Sequence, residues 1–222
     1  MTFSPDYFRA ATWSHSLTRY PQLLDGRVKP GHGVRGGSRS ALAAGLVVAL
    51  MACGPAFAGP WTVVPGESSI GFSGEHAGTK FKGVFQKWEA SVSFDPADLA
   101  GSKAVVTVAL ASAKTGDATY DKTLPTTDWF NVAATPSGVF ETSTFRAVGT
   151  DLFEADATLS IRGVKVPVVF AFGWTVAGDT AKLVGKTALK RVAFGVGKGS
   201  DSDGTWVSLD IPVEVRVSLK KG

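Results

Sequence analysis

The sequence predicts an all-β protein whose folded part is a single antiparallel β-barrel. Three observations carry this prediction. Apolar and polar residues alternate with a period of two along most of the chain after Gly59. Clusters of Gly, Pro, Asp and Ser separate the alternating segments, as turns between strands do. A hydrophobic secretory signal just before this region removes the first quarter of the chain from the fold.

The segment from Arg39 to Gly59 has the three parts of a secretory signal and reads RSALAAGLVVALMACGPAFAG. Basic residues precede an apolar core, and Ala56-Phe57-Ala58 supplies small residues at the cleavage positions. The core is too short for a membrane span, which needs about 20 residues. We therefore predict export to the periplasm, with residues 1–58 removed as leader and signal peptide and a barrel domain at residues 59–222.

Two features of the leader leave alternatives open. Residues 1–34 are long and partly acidic for the start of a signal, which predicts a true start further downstream, at Val28 or Val34. Leu50-Met51-Ala52-Cys53 resembles a lipoprotein processing box, which would leave Cys53 acylated. Soluble release is favoured because Met51 is unusual in such a box and the Ala-x-Ala site follows directly.

Composition excludes several classes of function. Six of the 23 basic and two of the 19 acidic residues precede Gly59, which leaves 17 of each and no excess charge for nucleic acid. Cys53 is the only cysteine, and His76 is the only histidine after the signal. These residues cannot build a common zinc site or a Cys–His pair, and no Gly-x-Ser-x-Gly motif is present. We therefore expect no catalytic residue, no metal and no enzymatic activity.

The alternation places one apolar side chain at every second position of each strand. The clearest apolar faces are Trp88, Ala90, Val92 and Phe94; then Phe153, Ala155, Ala157, Leu159 and Ile161; then Val213, Val215, Val217 and Leu219. The last strand is predicted from Trp206 to Leu219. One stretch departs from the pattern: Thr115 or Asp117 is expected to cap a short helix that ends before Pro125.

A sheet with one polar face must bury its other face and its edges, and closure into a barrel does both. The buried faces are rich in rings and branched side chains: Phe85, Trp88, Val92, Val106, Val108, Phe153, Leu159, Val168, Phe170 and Phe172. Such side chains either fill a barrel or line a cavity, and barrel statistics alone favour a filled interior. The alternation cannot decide between the two.

Three further motifs have ordinary structural explanations. Gly195 to Gly199 looks like a phosphate-binding glycine loop, but no helix follows it, so a hairpin or bulge is expected. Asp201 to Gly204 resembles half of a calcium loop without a glutamate at its twelfth position, so a solvated turn is expected. His76 lies between glycines, which predicts an exposed loop.

Five motifs, taken in chain order, resemble one known family. They are Trp61 to Pro65, Phe81 to Phe85, Asp128 to Phe130, Ala157 to Val168 and Lys190 to Gly197. The fourth, ATLSIRGVKVPV, is similar to a G-x-L-T-I-R-G-V-T-K-P-V pattern, and the fifth contains Arg-x-x-Phe-Gly-x-Gly. The family is the YceI-like family of lipocalin-like, polyisoprenoid-binding periplasmic proteins, and the resemblance extends from Trp61 to about Leu219.

The resemblance implies an extended, eight-stranded antiparallel lipocalin-like barrel with an isoprenoid or similar amphiphile along its axis. The implied function is a periplasmic binding protein that sequesters or carries a polyisoprenoid, such as a quinone or a prenyl phosphate, with no covalent cofactor. Two alternatives stay open. One is a quinone-handling partner of a membrane cytochrome, in transient contact with the membrane; the other is a stress-induced interaction module with a filled barrel. A homodimer also stays open.

The predicted lipid contacts combine the buried faces with the helical stretch. The tail is expected to contact the barrel rings, and the head to lie near Arg162 or near Trp129 and Phe130. The predicted contacts are Phe85, Trp88, Val92, Trp129, Phe130, Phe153, Leu159, Arg162, Phe170 and Phe172. A structural role is the alternative for three basic residues, Arg162, Lys190 and Arg191. Such side chains more often pair with a carboxylate or cover apolar surface than bind a ligand.

Overall fold

The computed structural model describes residues 61–222, so the predicted leader and signal lie outside the described residues. Within this range the chain forms short 3₁₀ turns and twelve regular elements. They are β1 (Trp61–Val63), β2 (Ser69–His76), β3 (Thr79–Phe85), β4 (Trp88–Ser93), β5 (Lys103–Ala109), β6 (Ala113–Lys114), α1 (Ala118–Thr123), β7 (Ser137–Gly149), β8 (Leu152–Ile161), β9 (Val164–Ala177), β10 (Thr180–Lys190) and β11 (Asp210–Lys221). No helix among the described residues has the length and apolar character needed to cross a membrane.

The eleven strands build an eight-stranded closed barrel because three barrel strands are each broken once. A 3₁₀ turn at Pro65–Glu67 divides β1 from β2, and a second at Leu110–Ser112 divides β5 from β6. Two residues outside the ladder separate β3 from β4. The ring runs β4-β5-β7-β8-β9-β10-β11 and closes through β1, which pairs with both β11 and β4. Every pairing is antiparallel, which confirms the predicted fold class.

The helix forms where the sequence predicts it, and Asp117 is its cap. The Asp117 carboxylate accepts the backbone N–H groups of Thr119 and Tyr120, at 2.7 and 3.1 Å, and so satisfies two donors that the first turn leaves free. Asp121 accepts the backbone N–H and the hydroxyl of Thr115, at 2.7 and 2.9 Å. These bonds hold α1 against the chain that leaves β6.

The predicted inward faces are confirmed, and a dense ring cluster fills one end of the barrel. Phe94 lies at its centre, with ring centroids 4.9–5.4 Å from those of Phe145, Phe153, Phe172 and Trp174. Most of these contacts are edge-to-face, the arrangement that aromatic pairs prefer. Close packing of this kind leaves little space at this end.

The predicted start of the last strand is wrong, because β11 begins at Asp210 rather than at Trp206. The Asp201 carboxylate accepts the backbone N–H groups of Trp206 and Val207, at 3.0 and 2.8 Å. A buried carboxylate with these partners competes with the ladder for the same donors. The residues before Asp210 therefore form a loop. It meets β2 at an isolated bridge between His76 and Val207, and the Ser208 hydroxyl accepts the backbone N–H of Glu75 at 3.1 Å.

Candidate functional site

The barrel encloses an apolar cavity, called the barrel cavity below. Its volume is about 170 Å³. Of its 27 lining residues, only Trp88, Thr142 and Thr187 have a polar side-chain atom. The Thr142 hydroxyl bonds to both backbone groups of Ala104, and the Thr187 hydroxyl donates to the carbonyl of Val169 at 3.1 Å. Because the backbone satisfies both hydroxyls, the wall offers hydrocarbon and rings.

Six of the ten predicted lipid contacts line the barrel cavity: Phe85, Trp88, Val92, Leu159, Phe170 and Phe172. Phe170 stacks on Phe172 with centroids 5.7 Å apart and meets Phe140 edge-on at 5.9 Å. The Phe170 ring also lies directly against Gly185. A Cβ at Gly185 would be 2.2 Å from the Cζ of Phe170, so the ring fills the space that any larger residue there would need. This glycine lets a large ring lie flat against the neighbouring strand.

The other four predicted contacts lie elsewhere. Phe153 is buried in the ring cluster around Phe94 and stacks on Phe172 at 5.7 Å, but it does not line the cavity. Phe130 is buried near one end of the cavity, and Trp129 lines a second cavity. Arg162 lines neither cavity; its guanidinium donates to the backbone carbonyls of Thr127 and Trp129. Contact of any of these residues with a lipid stays a prediction.

The second cavity, called the vestibule below, has a volume of about 290 Å³. It lies between α1, the β2–β3 hairpin and the loop before β11. Its walls are His76, Phe81, Thr115, Thr119, Tyr120, Thr123, Leu124, Trp129, Ser200, Asp201, Trp206 and Val207. The prediction that His76 lies in an exposed loop is wrong: it ends β2, and its Nδ1 is 2.9 Å from the Tyr120 hydroxyl.

Three rings separate the two cavities, and we call them the septum: Phe72, Phe85 and Phe130. Along the inward face of β2, Phe72 lies between Ile70, which lines the barrel cavity, and His76, which lines the vestibule. The Phe72 centroid is 5.1 Å from that of Phe85, which is 6.1 Å from that of Phe130. The vestibule therefore follows the barrel cavity along the same strands.

A buried ion pair fixes the loop that forms one vestibule wall. The side chains of Arg191 and Asp201 are 3% and 4% exposed, with Nη2 and Oδ2 2.6 Å apart. The guanidinium also donates to four backbone carbonyls of the loop, and its Cζ lies 5.6 Å from the centre of the Trp129 ring. The prediction of a solvated turn is therefore wrong for Asp201. The sequence signal that could have revealed the pair is Arg-x-x-Phe-Gly-x-Gly: a Cβ at Gly197 would lie 2.7 Å from Arg191 Nη1.

Asp128 clamps the same loop from the other side. Its carboxylate accepts the backbone N–H groups of Gly199 and Ser200, at 2.8 and 3.0 Å, and the Ser200 hydroxyl at 2.5 Å. These contacts hold the pKa of Asp128 below its ordinary value of 3.8. The hydrogen bond from the Ser200 hydroxyl has the largest effect, the two backbone bonds and the charge of Arg162 add to it, and burial opposes them. The ionised carboxylate is therefore the form that holds the loop.

This clamp is expected to make the fold sensitive to acid. A carboxyl group whose pKa is lower in the folded chain contributes stability above its unfolded pKa and loses it as the pH falls through the folded value. The free energy of unfolding should therefore decline below about pH 4, and less steeply in Asp128→Asn. Urea titrations from pH 6 to pH 2 measure both slopes. Equal slopes would show that Asp128 carries none of the dependence.

The described residues 61–222 hold no group of three or more His, Cys, Asp or Glu side chains placed to bind a metal ion. What they do hold is a closed antiparallel barrel around an apolar cavity, with a second, more polar cavity at one end. These features define the class of eight-stranded barrels with room inside for a small ligand, the class that includes the lipocalins.

Within that class, the chain belongs to the YceI-like family, whose domain model matches residues 61–219. A UPF0312 protein of Azotobacter vinelandii is 32% identical over 183 residues, which cover 75% of this chain and 95% of the relative. The crystal structure of BcnA from Burkholderia cenocepacia is similar, with a TM-score of 0.68 and 27% identity over 71% of this chain and 99% of that one.

A more distant structure shares the fold at a TM-score of 0.56 and 16% identity, over 75% of this chain and 99% of its own. It is described as a polyisoprenoid-binding domain from Saccharophagus degradans implicated in plant cell wall breakdown. At this identity the likeness shows the fold alone.

Proposed function

We propose that the protein binds a polyisoprenoid, or a similarly long apolar lipid, in the barrel cavity and acts as a carrier or store. The observation that carries this proposal is the cavity wall, on which the two threonine hydroxyls are both bonded to the backbone. Such a wall recognises hydrocarbon by burial, and each methylene contributes about 0.8 kcal/mol. Ten methylenes would contribute about 8 kcal/mol before the cost of ordering the chain. Binding of this kind requires no catalytic group.

The dimensions of the barrel agree with a long ligand. The 14 residues of β9 extend about 46 Å at ~3.3 Å per residue, or about 35 Å along an axis tilted by ~40°. Apolar wall atoms that face open space lack van der Waals partners, which costs stability. A bound tail would relieve that cost, which favours a ligand-filled barrel over an interaction module with a solid core.

The name of the distant structural neighbour supports the same ligand class, since that protein is a polyisoprenoid-binding domain on the same fold. The predicted secretory signal supports action in the periplasm, with a mature chain that starts at Gly59. Processing at Cys53 would place the same barrel on a membrane surface.

Native mass spectrometry of protein purified gently from the periplasmic fraction tests the lipid and the export together. We expect the mass of a chain beginning at Gly59, with an added mass of a prenylated lipid. Ala90→Phe should remove the lipid, because Ala90 lines the barrel cavity and the new ring would occupy it.

Ala188→Phe is the matched control. Ala188 is exposed on β10 and lines neither cavity, so the lipid should remain bound. A wild-type protein that carries no lipid and takes none up from isoprenoid-containing vesicles would refute the proposed function. An intact leader on cytoplasmic protein would refute the export.

A further inference from the structure

The vestibule differs from the barrel cavity in chemistry but continues it in space. On the inward face of β3, Phe85 lines the barrel cavity. Phe81, two inward positions away on the same strand, lines the vestibule. Phe85 and Phe81 both pack against one buried cluster, which holds Phe72 and Phe130 of the septum together with Phe194 and Val196. Side chains such as these rings can turn aside, whereas backbone cannot. A ligand with its tail in the barrel would therefore place its head in the vestibule.

The charges of the vestibule oppose an anionic head. No Lys or Arg is among the described residues that line it. The nearby guanidinium of Arg191 already donates to the Asp201 carboxylate and to four carbonyls, and Lys114 pairs with Asp121 at 3.6 Å. The Asp117 carboxylate already accepts two N–H groups of the first turn of α1, those of Thr119 and Tyr120, so they are not available to an anion. A phosphate would enter without the charged donors that normally hold it.

The walls favour a flat, uncharged group instead. Five of the twelve lining side chains are rings: His76, Phe81, Tyr120, Trp129 and Trp206. Tyr120 is the hub of this set, with centroids 5.3 Å from His76 and 5.8 Å from Phe81. Trp206 is 58% exposed, so one of its faces is free for a partner. Rings of this kind offer faces and edges to another planar ring.

We propose that the vestibule is the head-group site of the bound lipid, and that it selects an uncharged planar ring of the quinone or phenol kind against a phosphate or diphosphate. This inference rests on the proposed function, since it assumes a tail in the barrel. It decides between two kinds of isoprenoid that the barrel cavity cannot tell apart, because their tails are the same.

Three lipids with one tail test the inference. Geranylgeraniol, geranylgeranyl phosphate and a benzoquinone with a geranylgeranyl tail are titrated into delipidated protein, and binding is followed by calorimetry. We expect the quinone to bind most tightly and the phosphate at least about tenfold more weakly. Trp206→Ala should weaken the quinone and leave geranylgeraniol unchanged, because it removes a ring that only the planar head contacts.

A single added cation should reverse the discrimination. Thr119 lines the vestibule and is exposed on α1, so Thr119→Arg places a guanidinium at the head. We expect phosphate binding to strengthen about tenfold and geranylgeraniol binding to stay the same. Ala118→Arg is the control: it adds the same charge one residue away, outside the vestibule lining, and should leave the order of the three lipids unchanged.

The two proposals fail in different ways. If none of the three lipids binds, the proposed function is wrong. If geranylgeraniol binds but the phosphate binds as tightly as the quinone, and Thr119→Arg changes neither, the barrel holds the tail and the vestibule is not the head site.

Discussion

Phe170→Glu is expected to abolish lipid retention and to destabilise the barrel strongly. The ring is 8% exposed, stacks on Phe172 and covers Gly185. Loss of such a ring costs about 3–5 kcal/mol. The new carboxylate would add to this cost, because the surrounding wall holds no basic side chain to pair with a buried charge. Urea denaturation and native mass spectrometry measure the two effects.

Two controls separate the charge from the loss of the ring. Phe170→Leu keeps an apolar side chain of similar bulk, so most of the stability and the lipid should remain. Val184→Glu adds the same charge at a position of neighbouring β10 that is 39% exposed, and should change the stability by no more than about 0.5 kcal/mol. A folded Phe170→Glu protein that still carries lipid would show that the tail binds elsewhere.

Arg191→Met is expected to cost about 3–5 kcal/mol of stability, because it leaves Asp201 as a buried charge without its partner. The loop before β11 should loosen with it, since the same guanidinium binds the carbonyls of Val196, Val207 and Ser208. Thermal or urea unfolding measures the loss, and hydrogen exchange of the loop amides locates it.

The neighbouring residue provides the matched control for Arg191. Lys190 pairs with Asp210 at 3.0 Å, but their side chains are 72% and 60% exposed, so Lys190→Met should cost at most about 1 kcal/mol. The double variant Arg191→Met, Asp201→Leu should recover part of the loss, because no lone charge then remains buried. An Arg191→Met protein as stable as Lys190→Met would show that the buried pair contributes nothing.

The barrel could be predicted because the alternation of apolar and polar residues depends only on which face of the sheet each side chain occupies. Closure of the sheet then follows from the need to cover its edges. Asp117 was predictable for the same reason: its bonds reach only two and three residues along the chain. The breaks in three strands were not predicted. Each break depends on how the strand pairs with its neighbours, and this pairing does not change the alternation of apolar and polar residues in the sequence.

The candidate site was harder to predict than the fold. Six residues of the cavity wall were predicted from their position on the apolar face of each strand and from the family resemblance. Position on a face could not show that space remains between these side chains. The vestibule escaped prediction because it joins residues far apart in sequence, such as His76 and Tyr120, which are 44 positions apart. Asp201 was misjudged for a similar reason, because only the folded loop brings it against Arg191 and away from water.

Closure of the barrel by β1 has a consequence for how the chain folds. Three residues, Trp61–Val63, complete the ring, and Trp61 lies opposite Lys221, which is far from it in sequence. Pairings between such distant residues have the largest loop-closure entropy, so they form late and make folding slow. The hairpins from β7 to β11 can assemble first, because each joins neighbours in sequence. The interior is therefore sealed only after both β1 and β11 have formed, and until then the apolar faces of the earlier hairpins remain open to solvent.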